Sequence, residues 1–232
     1  MTRLPARTGA DVHLGDAFAL PGCPLCRERR RVGAAYLESI LAESVNDIPF
    51  RQALDAGRGF CQRHAGAVLA ADRRRSGTLG AAILLRATLV ARLRDLEAVH
   101  AAGGWTRARR ADEAARPPAC PACGREAVWE EGVVEGLVRL AEDPAWAEAV
   151  AAAPLCLEHL VALMARRTVP AWWPAIEARQ LDRLRDLRDR LDRFAHASAH
   201  DRHHLQTDEQ VASVDEAADL LGGSPGTTGD TG

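Results

Sequence analysis

The hydrophobic positions of this chain recur with the period of an α-helix. Five apolar residues between Val32 and Leu41 fall on one face at 3.6-residue spacing, which predicts a helix over about 25–45. Asn46 to Pro49 interrupts this helix, and Asp47 is placed to cap the next one. Other periodic or glycine-bounded segments predict further helices over about 47–56, 61–72, 79–101 and 171–199. The pattern indicates an all-α protein.

The second half of the chain repeats the first. A shift of 97 residues places the stripe Val32, Tyr36, Leu37, Ile40 and Leu41 onto Trp129, Val133, Val134, Leu137 and Val138. Farther on, the five residues of 92–96 reappear as 183–187. We therefore expect two tandem, pseudo-symmetric units of about four helices each.

The expected organisation follows from this repeat. It comprises an irregular lead-in (1–22), a first helical metal-binding repeat (23–104), a linker rich in arginine, alanine and proline (105–118), a second metal-binding repeat (119–200), and an acidic tail (201–232) with a short helix over 207–221 and a disordered end.

Every cysteine of the chain belongs to a duplicated ligand pattern. In the first half, Cys23 and Cys26 are followed by Cys61 and His64. The second half has the same spacings, with the four residues Cys120, Cys123, Cys156 and His159. Three thiolates and one imidazole are the soft, tetrahedral donor set that zinc prefers. The sequence therefore predicts two zinc ions per chain, each with four protein ligands and a structural role.

Which cysteine pair joins which histidine pair is a separate question. Similar intervals within each half, 34 and 32 residues, favour pairing inside each repeat. An exchanged pairing, in which Cys23 and Cys26 join Cys156 and His159, remains open. Thiol–disulfide exchange, an iron–sulfur cluster and unliganded structural cysteines are alternative uses of the same residues.

Charge and composition limit the kinds of partner that the protein is expected to bind. The chain has 232 residues and a formal net charge of −2. Its thirty basic residues are all arginine, and none of them lies in the last 26 residues, which contain six acidic residues. Residues 1–206 carry only a small excess of arginines over acidic residues, so a nucleic-acid partner is not expected. The apolar run 81–93 contains two arginines, and the amino terminus lacks the apolar core of a signal peptide. We expect a cytoplasmic protein without membrane contact.

Other candidate features are weaker. His196 and His200 lie four residues apart near His203 and His204, a spacing more typical of exposed histidines than of a metal site. The stripe of Leu184, Leu187, Leu191 and Phe194 has heptad-like spacing, and its short length favours internal packing over a coiled-coil dimer. No phosphate-binding loop or hydrolase motif is visible, so no catalytic or cofactor-binding residue is predicted.

The combined motifs resemble an uncharacterised prokaryotic family of domains of unknown function. They are the knuckle Cys23–Cys26, the turn Asn46–Asp47, the segment Gly59–His64 and the glycine-rich helix start Gly77–Ala82. The second half has Pro154–Leu155 in place of Gly59–Phe60. The resemblance implies no activity. A zinc-stabilised, non-enzymatic scaffold or module that binds an unknown protein is our leading hypothesis, ahead of a redox-responsive zinc switch and a nucleic-acid-binding regulator.

Overall fold

The structure is a computed structural model that describes residues 4–75, 77–166, 169–198 and 207–222. Within these ranges every regular element is helical, as the sequence predicts. The helices are α1 (Gly9–Phe18), α2 (Pro24–Ser39), α3 (Ile48–Ala56), α4 (Gln62–Arg74), α5 (Leu79–His100), α6 (Gly104–Ala115), α7 (Pro121–Leu140), α8 (Pro144–Ala152), α9 (Leu157–Met164), α10 (Trp173–Ser198) and α11 (Asp208–Gly222). None of the described helices is both long enough and apolar enough to span a bilayer.

Two compact units make up the chain, and they differ from the expected repeats 23–104 and 119–200. The first unit consists of residues 1–29 and 130–232, and the second of residues 30–129. The boundaries fall inside α2 and α7, so each of these helices begins in one unit and ends in the other. Sequence repeats and compact units therefore do not coincide.

The lead-in 1–22 is more ordered than expected, because it contains α1. Thr8 accepts a hydrogen bond from the backbone N–H of Asp11, and the Asp11 carboxylate accepts one from the backbone N–H of Thr8. This is a reciprocal capping box with aspartate in the place usually taken by glutamate. Phe18 then packs edge-on against Trp146 at 5.6 Å between ring centroids. The segment is short and weakly periodic, so its sequence did not predict this helix. The helix is stabilised by its capping box and by contact with a tryptophan that is distant in the chain.

Most of the predicted linker 105–118 is helical and forms α6. Arginine and alanine have high helix propensity, and this outweighs the absence of an apolar stripe. None of the residues of α6 is buried, but Arg110 donates a hydrogen bond to the carbonyl of Ala98 on α5. Arg58 donates to the carbonyls of Ala114 and Arg116. Arginine contacts with backbone carbonyls thus fasten α6 to its unit.

The predicted helix starts and stops are mostly where the capping residues place them. Asp47 caps α3 by accepting a hydrogen bond from Phe50 N at 2.6 Å, and Asp143 caps α8 from Ala145 N at 2.8 Å. The helix predicted over 25–45 is α2 followed by a π-helical turn, Ile40–Ser44. Ile40 and Leu41 in that turn are buried, which keeps the predicted stripe in the core.

Each unit has its own buried residues. In the second unit, Leu37, Leu54, Val68 and Leu84 belong to one core cluster that also includes Cys120. Buried Asp72 accepts a hydrogen bond from Ala81 N at 2.7 Å and so ties α4 to the start of α5. In the first unit, α10 packs against α8 and α11, and its Leu187 is buried. The heptad-like stripe of α10 thus contributes to internal packing.

Candidate metal centres

Four ligand residues converge in the first unit, a group we call cluster I: Cys23, Cys26, Cys156 and His159. His159 Nδ1 lies 3.6, 3.4 and 3.0 Å from the sulfurs of Cys23, Cys26 and Cys156. The sulfurs of Cys26 and Cys156 are 3.5 Å apart. All four side chains are buried.

The second unit holds the corresponding cluster II: Cys61, His64, Cys120 and Cys123. His64 Nδ1 lies 3.3, 3.4 and 3.3 Å from the sulfurs of Cys61, Cys120 and Cys123. The sulfurs of Cys61 and Cys123 are 3.6 Å apart. In both clusters the histidine therefore points the same nitrogen, Nδ1, at three sulfurs.

The preference for pairing inside each repeat is wrong, and the exchanged arrangement is the one observed. All eight predicted ligands meet, but each Cys-x-x-Cys pair joins the Cys-x-x-His pair of the other repeat. Closing a longer loop costs little extra entropy. The nearly equal intervals within each half are therefore weak evidence for pairing inside a repeat. The partners are those that belong to the same compact unit.

The donor spacing fits one tetrahedral metal ion per cluster. With metal–sulfur bonds of about 2.3 Å and metal–nitrogen bonds of about 2.0 Å, a regular tetrahedron separates sulfur from nitrogen by about 3.5 Å and two sulfurs by about 3.8 Å. All ligand atoms within a cluster lie within 4.8 Å of one another. The sulfur–sulfur distances of 3.5 and 3.6 Å are far too long for a disulfide, and all six cysteines are free. Each cluster could thus hold a metal ion.

Helix starts supply positive potential to both clusters. Cys156 and Cys61 are the residues at the starts of α9 and α4, while Cys23 and Cys120 immediately precede α2 and α7. The partial positive charge of a helix start stabilises nearby thiolates. Two helix starts at each cluster offset part of the charge of −1 that three thiolates leave on a divalent ion.

The thiols of each metal-free cluster differ in acidity. Hydrogen bonds from the thiols of Cys156 and Cys26 lower the pKa of Cys23 to about 3, whereas hydrogen bonds to Cys156 and Cys23 raise the pKa of Cys26. In cluster II, burial and the neighbouring thiols raise the pKa of Cys123 to about 12. Crowded sulfurs share protons because several negative charges cannot lie so close together without a cation. A divalent ion would replace those protons.

An acidic residue orients the histidine of cluster II. His64 Nε2, the nitrogen that faces away from the sulfurs, lies 3.1 Å from Glu126 Oε1. Burial raises the pKa of Glu126, but hydrogen bonds from Arg63 and His64 outweigh this and lower it. Burial also lowers the pKa of His64, which favours the neutral form that binds metals. Such a carboxylate fixes the ring and raises its basicity as a ligand.

Gly33 makes room for this carboxylate. A Cβ atom at position 33 would lie 3.1 Å from Glu126 Cδ and even closer to Oε1. Contacts that short force the neighbour to move, so any larger residue at position 33 would displace Glu126. The glycine thus belongs to the support of cluster II although it touches no ligand.

A carboxylate also lies beside the histidine of cluster I, but it is not hydrogen-bonded to the ring. Glu130 Oε1 lies 2.9 Å from His159 Nε2, although away from the direction in which the ring N–H would donate. Arg29 approaches Glu130 at 3.4 Å and Glu158 at 3.3 Å. Burial has the largest single effect on the pKa of Arg29 and lowers it. Attraction to the two carboxylates together outweighs burial, so the pKa of Arg29 is raised. A carboxylate of α7 thus lies beside the histidine of each cluster, but only Glu126 is hydrogen-bonded to its ring.

Sequence reasoning missed these supporting carboxylates. Glu126 lies three residues after Cys123, a helical spacing that could have indicated it. Glu130 is close in sequence to none of the ligands of cluster I, and the first repeat has Arg29 at the position equivalent to Glu126. Of the arginines near the ligands, Arg63 pairs with Glu126, and Arg27 donates to the carbonyl of Pro21 at 2.7 Å.

Three other histidines lie in the part of the chain that the structure describes, and none of them joins a cluster. His13, His100 and His196 are exposed. The positions of His200, His203 and His204 lie outside the described residues, as does the end of the tail from 223 onward.

The two clusters differ in exposure. In cluster I, the four ligands are 0–1% exposed. In cluster II, His64 and Cys120 are buried, whereas Cys61 and Cys123 are partly exposed. Cluster II is therefore less shielded from solvent than cluster I.

Replacing Glu126 with glutamine tests its support of His64. We expect the Glu126→Gln variant to bind metal at cluster II about 10–100-fold more weakly, because the carboxylate charge that orients and polarises the imidazole is lost. The measurement is competition with a chromophoric chelator, using cobalt(II) absorbance to follow the thiolate-bound ion. Gly33→Ala should shift affinity in the same direction, through displacement of Glu126.

Glu131→Gln is the matched control, since Glu131 is an exposed carboxylate on the same helix with no ion pair to the described residues. Equal affinities for Glu126→Gln and Glu131→Gln would contradict a role for Glu126 in orienting His64.

Comparison with known proteins places the chain within a family. A search of curated proteins and a search of solved structures both gave no significant match. A match with the model of a family of unknown function covers residues 10–197, which include both clusters and their supporting carboxylates. The chain belongs to this family of unknown function, DUF6062.

Proposed function

We propose that this protein is a zinc-stabilised, non-enzymatic scaffold or protein-interaction module, with one zinc ion in each cluster. The observation that carries the proposal is the convergence of three sulfurs and one imidazole nitrogen within 4.8 Å, twice in one chain. Thiolate and imidazole donors in tetrahedral spacing suit zinc better than the oxygen-seeking cations. An iron–sulfur cluster suits the site less well, because several irons spread their ligands farther apart than one ion does.

Saturated coordination supports a structural role. Catalytic zinc sites use three protein ligands and keep a position for water or substrate. Four protein donors surround the centre of each cluster here, and those of cluster I are shielded from solvent. The zinc ions would then hold helices together and leave the helix surfaces for binding a partner.

A reducing compartment agrees with this function. All six cysteines are free, and pairs of them lie within 3.6 Å of each other without bonding. Such cysteines would oxidise in a secreted protein, so we place the protein in the cytoplasm.

Pairing of arginines with acids makes a nucleic-acid partner the weakest alternative. Arg58, Arg74, Arg94 and Arg179 each contact a carboxylate within 3.0 Å. Arginines that bind phosphates should instead be free to face the ligand.

A redox-responsive zinc switch is the second candidate, and the exposure of cluster II favours it. Cys61 and Cys123 are partly exposed residues, and their sulfurs are 3.6 Å apart. Hydrogen peroxide could oxidise these two thiolates to one disulfide, with two protons taken up and two waters formed, and the zinc ion would leave. Cluster I, with every ligand buried, should resist the same reagent.

Metal analysis separates the two candidates. The scaffold function predicts two zinc ions per purified, reduced chain, both retained after one equivalent of peroxide. A switch predicts release of one ion together with a Cys61–Cys123 disulfide, identified by peptide mass spectrometry. A reduced protein that contains no zinc would contradict both.

A further inference from the structure

Helix α5 has apolar residues on two faces. Ala81, Leu84 and Ala91 are buried in the second unit. Four leucines are exposed elsewhere on the same helix: Leu79 (74%), Leu89 (67%), Leu93 (48%) and Leu96 (60%). A helix that is apolar on two faces normally contacts a partner with each of them.

The exposed residues follow a heptad pattern. Leu79, Ala82, Arg86, Leu89, Leu93, Leu96 and His100 are separated alternately by three and four residues. All seven are exposed, so they form one continuous seam along α5, which we call the α5 seam. A spacing of 3.5 residues keeps a seam aligned with another helix rather than with a flat surface or a small ligand. The partner is therefore helical.

The leucines of α10 show how such a stripe behaves once it is covered. Residues 92–96 of α5 and 183–187 of α10 have the same sequence, but Leu96 is 60% exposed whereas Leu187 is 5% exposed. Arg183 and Arg190, on either side of Leu187, both bind Glu216 of α11 at 2.8 Å. α11 thus lies along this face of α10. None of the described residues covers Leu96 to a similar extent.

Charges at the two ends of the leucines indicate which helix is the partner. Arg86 lies before Leu89, and Glu97 lies after Leu96. Neither has an ion-pair partner among the residues that the structure describes. If two copies of α5 cross antiparallel about a two-fold axis beside Ala91 and Arg92, each Arg86 faces Glu97 of the other copy. A parallel pair would instead bring Arg86 against Arg86.

We infer that the α5 seam is a homodimer interface, in which a second copy of this chain packs its α5 antiparallel against the first. The inference rests on the proposed function, because it names the partner that a non-enzymatic interaction module would bind. A two-fold contact uses the same patch on both chains, which the matched charges satisfy. Leu89, Leu93 and Leu96 of each chain lie within the overlap of the two helices. Their contact buries an area at the low end for specific interfaces, on the order of 1,000 Å² in total, so the dimer should dissociate in the micromolar range.

Sedimentation velocity of the full-length protein over a range of concentrations tests the inference. The wild type is expected to shift from monomer to dimer in the micromolar range. Leu93→Glu/Leu96→Glu should remain monomeric, with unchanged zinc content and helical circular dichroism. Val128→Glu changes an exposed valine of the same unit outside the seam, and it should dimerise like the wild type.

Charge exchange tests the antiparallel geometry. Arg86→Glu and Glu97→Arg should each weaken the dimer at least 10-fold, because each creates two like-charge contacts. The combined Arg86→Glu/Glu97→Arg variant should recover most of the affinity. A wild type that stays monomeric at all concentrations, or a combined variant as weak as the single ones, would overturn the inference.

These outcomes are distinct from failure of the proposed function. A monomeric protein with two zinc ions would refute only the homodimer. A dimeric protein without zinc would refute the zinc scaffold and leave the α5 interface standing.

Discussion

Stripping both metal ions from the protein is expected to abolish most of its helical circular dichroism at 25 °C. Structural zinc in small modules contributes about 10–16 kcal/mol, whereas whole domains are stable by only about 5–15 kcal/mol. Cluster I also joins residues 130 positions apart, Cys26 and Cys156, which otherwise must be held together by packing alone. The metal-free chain should therefore lose the folded state of both units.

The experiment uses a high-affinity chelator under reducing conditions, with residual metal measured before the spectrum is recorded. Adding back two equivalents of zinc should restore the signal, which excludes irreversible aggregation as its cause. A fully metal-free protein that keeps its helical signal and its cooperative thermal transition would show that packing alone maintains the fold.

Removing a single ligand is expected to damage one compact unit and spare the other. Cys61→Ser should lose the ion of cluster II and raise amide hydrogen exchange across residues 30–129 by about 100-fold or more, which corresponds to about 3 kcal/mol of lost stability. Cys156→Ser should do the same to residues 1–29 and 130–222. Each variant serves as the control for the other, because both replace one sulfur by oxygen.

Two short segments decide between the observed pairing and pairing within repeats. Residues 120–129 lie in the second sequence repeat and in the compact unit that contains cluster II. Residues 23–29 lie in the first sequence repeat and in the compact unit that contains cluster I. Cys61→Ser should therefore expose 120–129 and leave 23–29 protected. The reverse result would require Cys61 and His64 to share their ion with Cys23 and Cys26.

Local signals in the sequence were enough for most of the fold. The apolar period from Val32 to Leu41 placed α2, and Asp47 and Asp143 cap the helices that follow turns. Cysteine and histidine spacing identified all eight residues of the two clusters. These features depend on residues a few positions apart, so a single sequence reveals them.

The features that the sequence left open depend on distant contacts. α1 is secured by Phe18 and Trp146, which are far apart in the chain, and α6 by arginine contacts with carbonyls. Glu130 lies 2.9 Å from His159, which is 29 positions away in the chain and not joined to it by any motif. Ligand pairing likewise depends on contacts between residues of different repeats. Loop length does not determine these contacts, because closure entropy varies slowly with length.

The exchanged ligands have a consequence for a chain half this long. One repeat contains one Cys-x-x-Cys pair and one Cys-x-x-His pair, yet the two pairs lie in different clusters. A single repeat would complete its coordination only by exchanging pairs with a second molecule, which would give two equivalent sites in an obligate dimer. Duplication within one chain joins those two molecules covalently, so that metal binding no longer depends on protein concentration.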